Sequence, residues 1–181
     1  MIKFQVVLLI LCFGFVRSSF SQTAVPRMQK TRIGHSSCMA YLPSKDTTCV
    51  MEEQSSPDGS KVYSMDVRYG GYSFSVIAVE LKDLTLNQWE EKDQLLSSYL
   101  DYLKEEFHIR KAVGYGKGHR MEDDAQAAGM IDFWEDENGE QWAVKGWAGK
   151  NQLGILMLHG KKEYPYLSVQ NMFLNGFRFG N

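Results

Sequence analysis

The sequence predicts an α+β domain: an antiparallel sheet of about six or more strands, with one long amphipathic helix and a short C-terminal helix packed on it. Two segments alternate apolar and polar residues on either side of tight-turn glycines, the signature of β-hairpins. Between them, one long stretch repeats its apolar residues at helical spacing. Strands also run in blocks before and after that helix, which favours an antiparallel α+β layout over alternating β–α units.

The chain opens on a different kind of signal. Met1-Ile2-Lys3 places one positive charge ahead of an apolar run from Phe4 to Val16, and Ser18-Ser19-Phe20-Ser21 follows with small residues. That is the order of a secretory signal peptide over residues 1–21, and the run is too short to span a bilayer. Cleavage is expected before Gln22, which makes the mature protein periplasmic or secreted. Residues 22–32 are polar and aperiodic and read as a flexible leader. Residues 33–181 then form a single domain of ordinary size.

Within the domain, Cys38 to Leu42 and Thr48 to Glu52 are short strand candidates around the turn residues Pro43-Ser44-Lys45-Asp46. Lys61 to Tyr69 and Tyr72 to Leu81 flank Gly70-Gly71, which suits a two-residue primed turn. That register sets Val67 opposite Phe74, Met65 opposite Val76 and Tyr63 opposite Ala78 on an apolar face. Arg68 then meets Ser73, and Asp66 meets Ser75, on a largely polar one. Thr85 and Gln88 stand at capping-box spacing before a helix of about 22 residues, with Leu86, Trp89, Leu96, Tyr99, Leu100, Leu103 and Phe107 on one side, a stripe expected to pack into the core and otherwise to line a ligand groove or partner surface.

A second hairpin joins Ala128 to Asp136 with Glu140 to Ala148. With Asn138-Gly139 as its loop, Phe133 opposes Val144, Glu135 opposes Trp142 and Asp132 opposes Lys145, while Trp134 and Trp147 share one face with Met130 and Ala143. Leu153 to His159 is apolar on both parities and reads as a central strand. Pro165 opens a short helix through Phe173, Asn175-Gly176 ends it, and Phe177-Arg178-Phe179 reads as a brief last strand. Gly114, Gly116 and Gly118 mark a mobile connection.

This order of elements resembles the PsbP/Mog1/DcrB-like superfamily. The resemblance lies in the strands up to Ala78-Val79-Glu80-Leu81, the helix from Thr85, the meander ending in Gly154-Ile155-Leu156-Met157-Leu158, and the closing Asn175-Gly176-Phe177-Arg178-Phe179. It implies a protein-binding or accessory domain without a shared active site, and it carries over no functional residue.

Charge and composition narrow the classes further. The chain holds 20 basic and 22 acidic residues; Lys3 and Arg17 leave with the signal, so the mature protein carries a net charge near −4. Nucleic-acid binding and attachment to an anionic membrane both call for a basic footprint, and neither is expected. No transmembrane segment is expected after signal cleavage. Cys12 lies in the signal behind Leu11, which does not suit a lipidation site. Cys38 and Cys49 are then an even pair in a chain bound for an oxidising compartment, and an intramolecular disulfide is expected between them.

No metal or cofactor motif occurs. His35, His108, His119 and His159 form no H-E-x-x-H motif and no i,i+4 pair, and the acids Glu122, Asp123 and Asp124 near His119 lack the alternating spacing of a calcium loop. Gly114 to His119 lacks the Lys-Ser/Thr ending of a phosphate loop. Ser36 and Ser37 beside His35 have no evident acid partner, and Asp132 and Glu135 lie on opposite faces of their strand. The best candidates for binding are Trp134 and Trp147 with Asp132 and Lys145: a recognition surface if their sheet face is open, core if it is covered. The expected function is that of an exported, non-enzymatic accessory or binding domain whose partner is a protein or envelope component. The alternatives are a small secreted hydrolase whose site is assembled from residues distant in sequence, and a carrier holding an apolar ligand in a closed pocket between helix and sheet.

Overall fold

The computed structural model describes residues 24–44 and 48–180. The export signal lies outside the described residues, as does most of the turn after Pro43. In chain order the elements are β1 (Met28–Arg32), β2 (Met39–Pro43), β3 (Thr48–Ser55), β4 (Lys61–Tyr69), β5 (Tyr72–Glu80), α1 (Trp89–Glu106), β6 (Ile109–Ala112), β7 (Gly116–Arg120), β8 (Ala128–Asp136), β9 (Gln141–Ala148), β10 (Gln152–Gly160) and α2 (Leu167–Asn175). Eight strands build one antiparallel sheet in the order β3-β4-β5-β10-β9-β8, with β6 and β7 both pairing to β8. β1 and β2 form a separate two-stranded sheet. The molecule is an α+β domain.

The β4–β5 hairpin turns on Gly70 and Gly71, at φ 58° and 84°, and pairs Tyr69 with Tyr72 as the two-glycine turn predicts. The β8–β9 hairpin turns differently. The Asp136 carboxylate accepts the N–H groups of Asn138 and Glu140, each at 2.9 Å, while the Asp136 N–H bonds to the Glu140 carbonyl at 3.2 Å. Gly139 takes the left-handed position at φ 76°, giving a three-residue loop over residues 137–139. One extra loop residue slips the register by one and moves every β9 side chain to the other face. Phe133 therefore opposes Ala143, Asp132 opposes Val144, Trp134 opposes Trp142, Glu135 opposes Gln141, and Lys145 faces Ile131. Trp134 and Trp147 consequently lie on opposite sides of the sheet, not on one.

Both sides are covered in part. On one, α1 packs over β8, β9 and β6. Leu96, Leu100 and Leu103 reach a core of Val144, Leu153 and Ile155, and Leu96 closes on Gly146, where a Cβ would collide with it. Helix α1 begins at Trp89 rather than near Thr85, because Glu91 reaches back to accept the N–H groups of Gln88 (3.1 Å) and Asn87 (3.0 Å). On the opposite side, α2 and the β1–β2 sheet bury Phe74, Val76, Trp147, Leu156, Phe173 and Phe177. β10 is shared between the two cores, as its unbroken apolar run requires.

Several local expectations change. Residues 28–32 of the leader form β1 and pair with β2, so the backbone hydrogen bonds of that stretch are met despite its polar sequence. The segment from Gly116 is strand β7 rather than a mobile connection. The terminal strand shrinks to one bridge between Met39 and Arg178. β2 and β3 do not pair with each other; they belong to different sheets, so no hairpin brings Cys38 and Cys49 together. Both thiols are free, Cys38 buried and Cys49 exposed. Burial pushes the Cys38 thiol up to about 11, with a smaller push from the Glu80 charge. In native protein, a thiol reagent should therefore label Cys49 within minutes and Cys38 only after unfolding. Loss of both reactivities without added reductant would show a disulfide and overturn this arrangement. No helix among the described residues is long and apolar enough to cross a membrane.

Candidate functional site

Sheet register sets out the face from which a cleft is cut. Thr48, Arg68, Ser73, His159 and Trp142 form one cross-strand row on the α1 side. Val50, Asp66, Ser75, Met157 and Val144 form the next, followed by Glu52, Ser64, Ile77, Ile155 and Gly146. Each row is polar for the most part on β3–β5 and, His159 apart, apolar on β10–β9. Because α1 covers the β8–β9 half, the polar half is left open beside it. The result is a cleft of about 790 Å³, floored by residues such as Ser64, Asp66 and Ser75 and walled by Tyr99, Tyr102 and Phe107 of α1 and its C-terminus.

Its apolar wall is built of packed rings. The Trp142 indole lies between Phe107, centroids 5.1 Å apart, and His159, 3.8 Å apart and 6° from parallel. His159 Nδ1 is 3.0 Å from Glu140, which fixes the imidazole edge-on to a carboxylate. Tyr99 and Tyr102 form a corner with centroids 6.2 Å apart. Burial, and to a lesser degree the neighbouring Tyr102 phenol, raises the Tyr99 phenol, keeping it neutral. On the floor, Ser75 donates to Asp66 at 2.5 Å, and the other Asp66 oxygen lies 3.5 Å from Arg68 Nε. Glu52 and Glu106 line the cleft without an ion pair among the described residues.

Next to it, Arg68, Tyr72, Ser73, Glu140 and His159 surround a smaller space of about 340 Å³. Ser73 stands directly across from His159 on the neighbouring strand, with His159 held by Glu140. These are the residue types of a nucleophile, base and acid, but no hydrogen bond links Ser73 to the imidazole. The arrangement orients a ring and a carboxylate rather than activating the hydroxyl.

The four residues singled out in the sequence sit elsewhere, and the register slip divides them. Asp132 and Trp134 lie under α1; Lys145 and Trp147 lie under α2. All four are buried, with Asp132 fully so. Asp132 accepts the N–H groups of Gly114 (2.9 Å) and Phe133 (2.8 Å) and the Trp134 indole N–H (2.7 Å), and lies 3.3 Å from Lys104 Nζ. Burial works against the Lys104 charge, yet its bonds with Tyr115 and then Asp132 prevail and raise its pKa. This knot ties α1 to the loop after β6.

Lys145 has no carboxylate beside it among the described residues. It donates to Asn175 Oδ1 at 2.6 Å, approaches His119 Nδ1 at 3.5 Å and sits 4.5 Å over the Trp147 ring. Burial pushes it down to about 8, and burial together with the Lys145 charge lowers His119. A lysine depressed in the folded state destabilises fully below pH 8, and the penalty fades as pH rises toward the unfolded value near 10.4. Lys145→Met should therefore gain about 2–3 kcal/mol over wild type at pH 7, the gain shrinking toward pH 10. Cys38 acts in the opposite direction in the alkaline range, since its unfolded thiol ionises first, so the difference between the two proteins' pH–stability curves is the quantity to measure. Equal curves would refute the assignment.

Among the described residues, no group of three or more His, Cys, Asp or Glu side chains gathers to hold a metal ion. Asp123 instead pairs with Arg178 at 2.6 Å, and Asp124 caps the N–H of Gln126 at 3.0 Å. Comparison with known protein families and with curated proteins found no match to this chain. The cleft was only half legible in advance. The polar parity of the β4–β5 hairpin marked its floor, but nothing in the sequence marked how far α1 would stop short of β3.

Proposed function

We propose that this chain is an exported, non-enzymatic binding domain that takes its ligand in the cleft between α1 and the β3–β5 end of the sheet. One observation carries the reading: the edge of α1 coincides with the boundary between the apolar and polar halves of the sheet face, leaving about 790 Å³ beside it. That volume lies within the range of small-ligand sites, which pair apolar walls with a few placed polar groups. Here the walls are Tyr99, Tyr102 and Phe107, and the polar groups are the Ser64 and Ser75 hydroxyls and the Asp66 carboxylate. The ligand this cleft suits has both an apolar and a polar part. Export is supported by the charged, apolar and small-residue order of residues 1–21, and the accessory role by an element order similar to the PsbP/Mog1/DcrB-like superfamily.

Ser64→Trp places an indole on the cleft floor at a half-buried position. A fragment library screened by NMR should shift resonances of residues 64, 75, 99 and 102 in the wild type and leave them unmoved in Ser64→Trp, with unchanged circular dichroism. Hits mapping elsewhere, or persisting at full strength in the folded variant, would overturn the site. For export, the intact mass of protein recovered outside the cytoplasm should start at Gln22; a species retaining Met1 would overturn it.

A further inference from the structure

Resting on the cleft as the ligand seat, we infer that its occupant is a small organic cation, an ammonium group carried on an apolar body. Glu52 and Asp66 stand on the floor and Glu106 on the wall, and neither Lys nor Arg lines the cleft among the described residues. The one imidazole present, His159, is already paired with Glu140. This imbalance is local, because the whole chain is close to neutral at 20 basic against 22 acidic residues. Glu52 and Glu106 carry no ion pair among the described residues, and the Arg68 guanidinium beside Asp66 is turned out, with its side chain 75% exposed. Two carboxylates that line the same cleft as Tyr99 and Tyr102 thus remain uncompensated among the described residues.

Geometry adds to charge. A concave site with low-dielectric walls focuses the field of its charges into the space they enclose. The wall includes the exposed Tyr102 ring, set at 56° to Tyr99. A cation at that corner gains the faces of electron-rich rings as well as the carboxylates. An anion there would meet like charge and lose its hydration without compensation. An apolar stem fits against Ile77, Val62 and Leu103. The volume suits one such molecule rather than a folded partner.

Hexyltrimethylammonium, heptanoate and 1-heptanol share one apolar body and differ in charge. Each is titrated at constant ionic strength, following cleft resonances by NMR and indole fluorescence. The cation should bind about tenfold tighter than either analogue and weaken as salt rises. The double variant E52Q/E106Q, at two exposed positions that touch neither core, should lose about fivefold for the cation and nothing for the alcohol. If heptanoate or heptanol shifts the same cleft resonances as tightly as the cation, the charge inference falls while the cleft remains a binding site. If none of the three moves those resonances, the cleft reading falls and takes this one with it.

Discussion

Asp132→Ala is expected to cost about 3–5 kcal/mol of folding stability, because it removes the acceptor of three hydrogen-bond donors and the partner of a lysine at once. For a domain of this size that is a fall of about 10 °C in Tm. The damage comes mainly from what is left behind: the Trp134 N–H and the Gly114 and Phe133 amides lose their acceptor, and Lys104 is left with Asp101, Tyr115 and the Trp134 ring. Asp132→Asn keeps an acceptor oxygen and should lose less. The double change Asp132→Ala with Lys104→Met should recover part of the loss, which a double-mutant cycle in urea would measure. A single-variant loss below 1 kcal/mol would refute this role. Because the knot anchors the half of α1 that bears Tyr99, Tyr102 and Leu103, the variant should also weaken ligand binding in the cleft.

Trp147→Ala should be as costly, about 3–5 kcal/mol, but by another route. The indole is 2% exposed, lies over Gly129, and donates its N–H to the Leu174 carbonyl at 3.3 Å, joining β9 to the end of α2. Truncation opens a cavity between sheet and helix that rigid neighbours on both sides cannot collapse to fill. Trp147→Phe restores most of the packing without the hydrogen bond and should recover at least half. Since Trp147 faces away from α1, the folded fraction of either variant should bind in the cleft like the wild type. Loss of cleft affinity at unchanged stability would place the functional surface on the α2 side instead.

Much of the architecture was legible because short-range chemistry fixed it. Gly70-Gly71 dictated the β4–β5 register, and the two-sided apolar run of β10 announced a strand with a layer on each face. The β8–β9 error has a local cause: Asn138-Gly139 fits a two-residue turn, but the Asp136 side chain selects the longer loop by capping it, and one residue reverses every face. That error alone put Trp134, Trp147, Asp132 and Lys145 on one face; both faces are covered at these positions, so all four are core. The cysteine pairing failed for a long-range reason, since partner choice put β2 and β3 in different sheets. The cleft depends on the lateral placement of α1 over the sheet, a tertiary quantity with no periodic signature. The polar parity of Asp66, Ser73 and Ser75, and the aromatic residues of the helix stripe, pointed toward it.

The central seam of the sheet has a consequence in time. β5 gains its inner neighbour only from β10, so Ala78 waits for Gly154 near the other end of the chain. A ribosome delivers the β3–β4–β5 meander first, and that meander holds an unmet row of backbone donors and acceptors until the last third has been made. Closing so long a loop before any reward arrives makes the seam the slow event of folding, on the millisecond-to-second scale of non-local β topologies. The β4–β5 hairpin should gain amide protection early in refolding, and β5–β10 contacts only with the final phase.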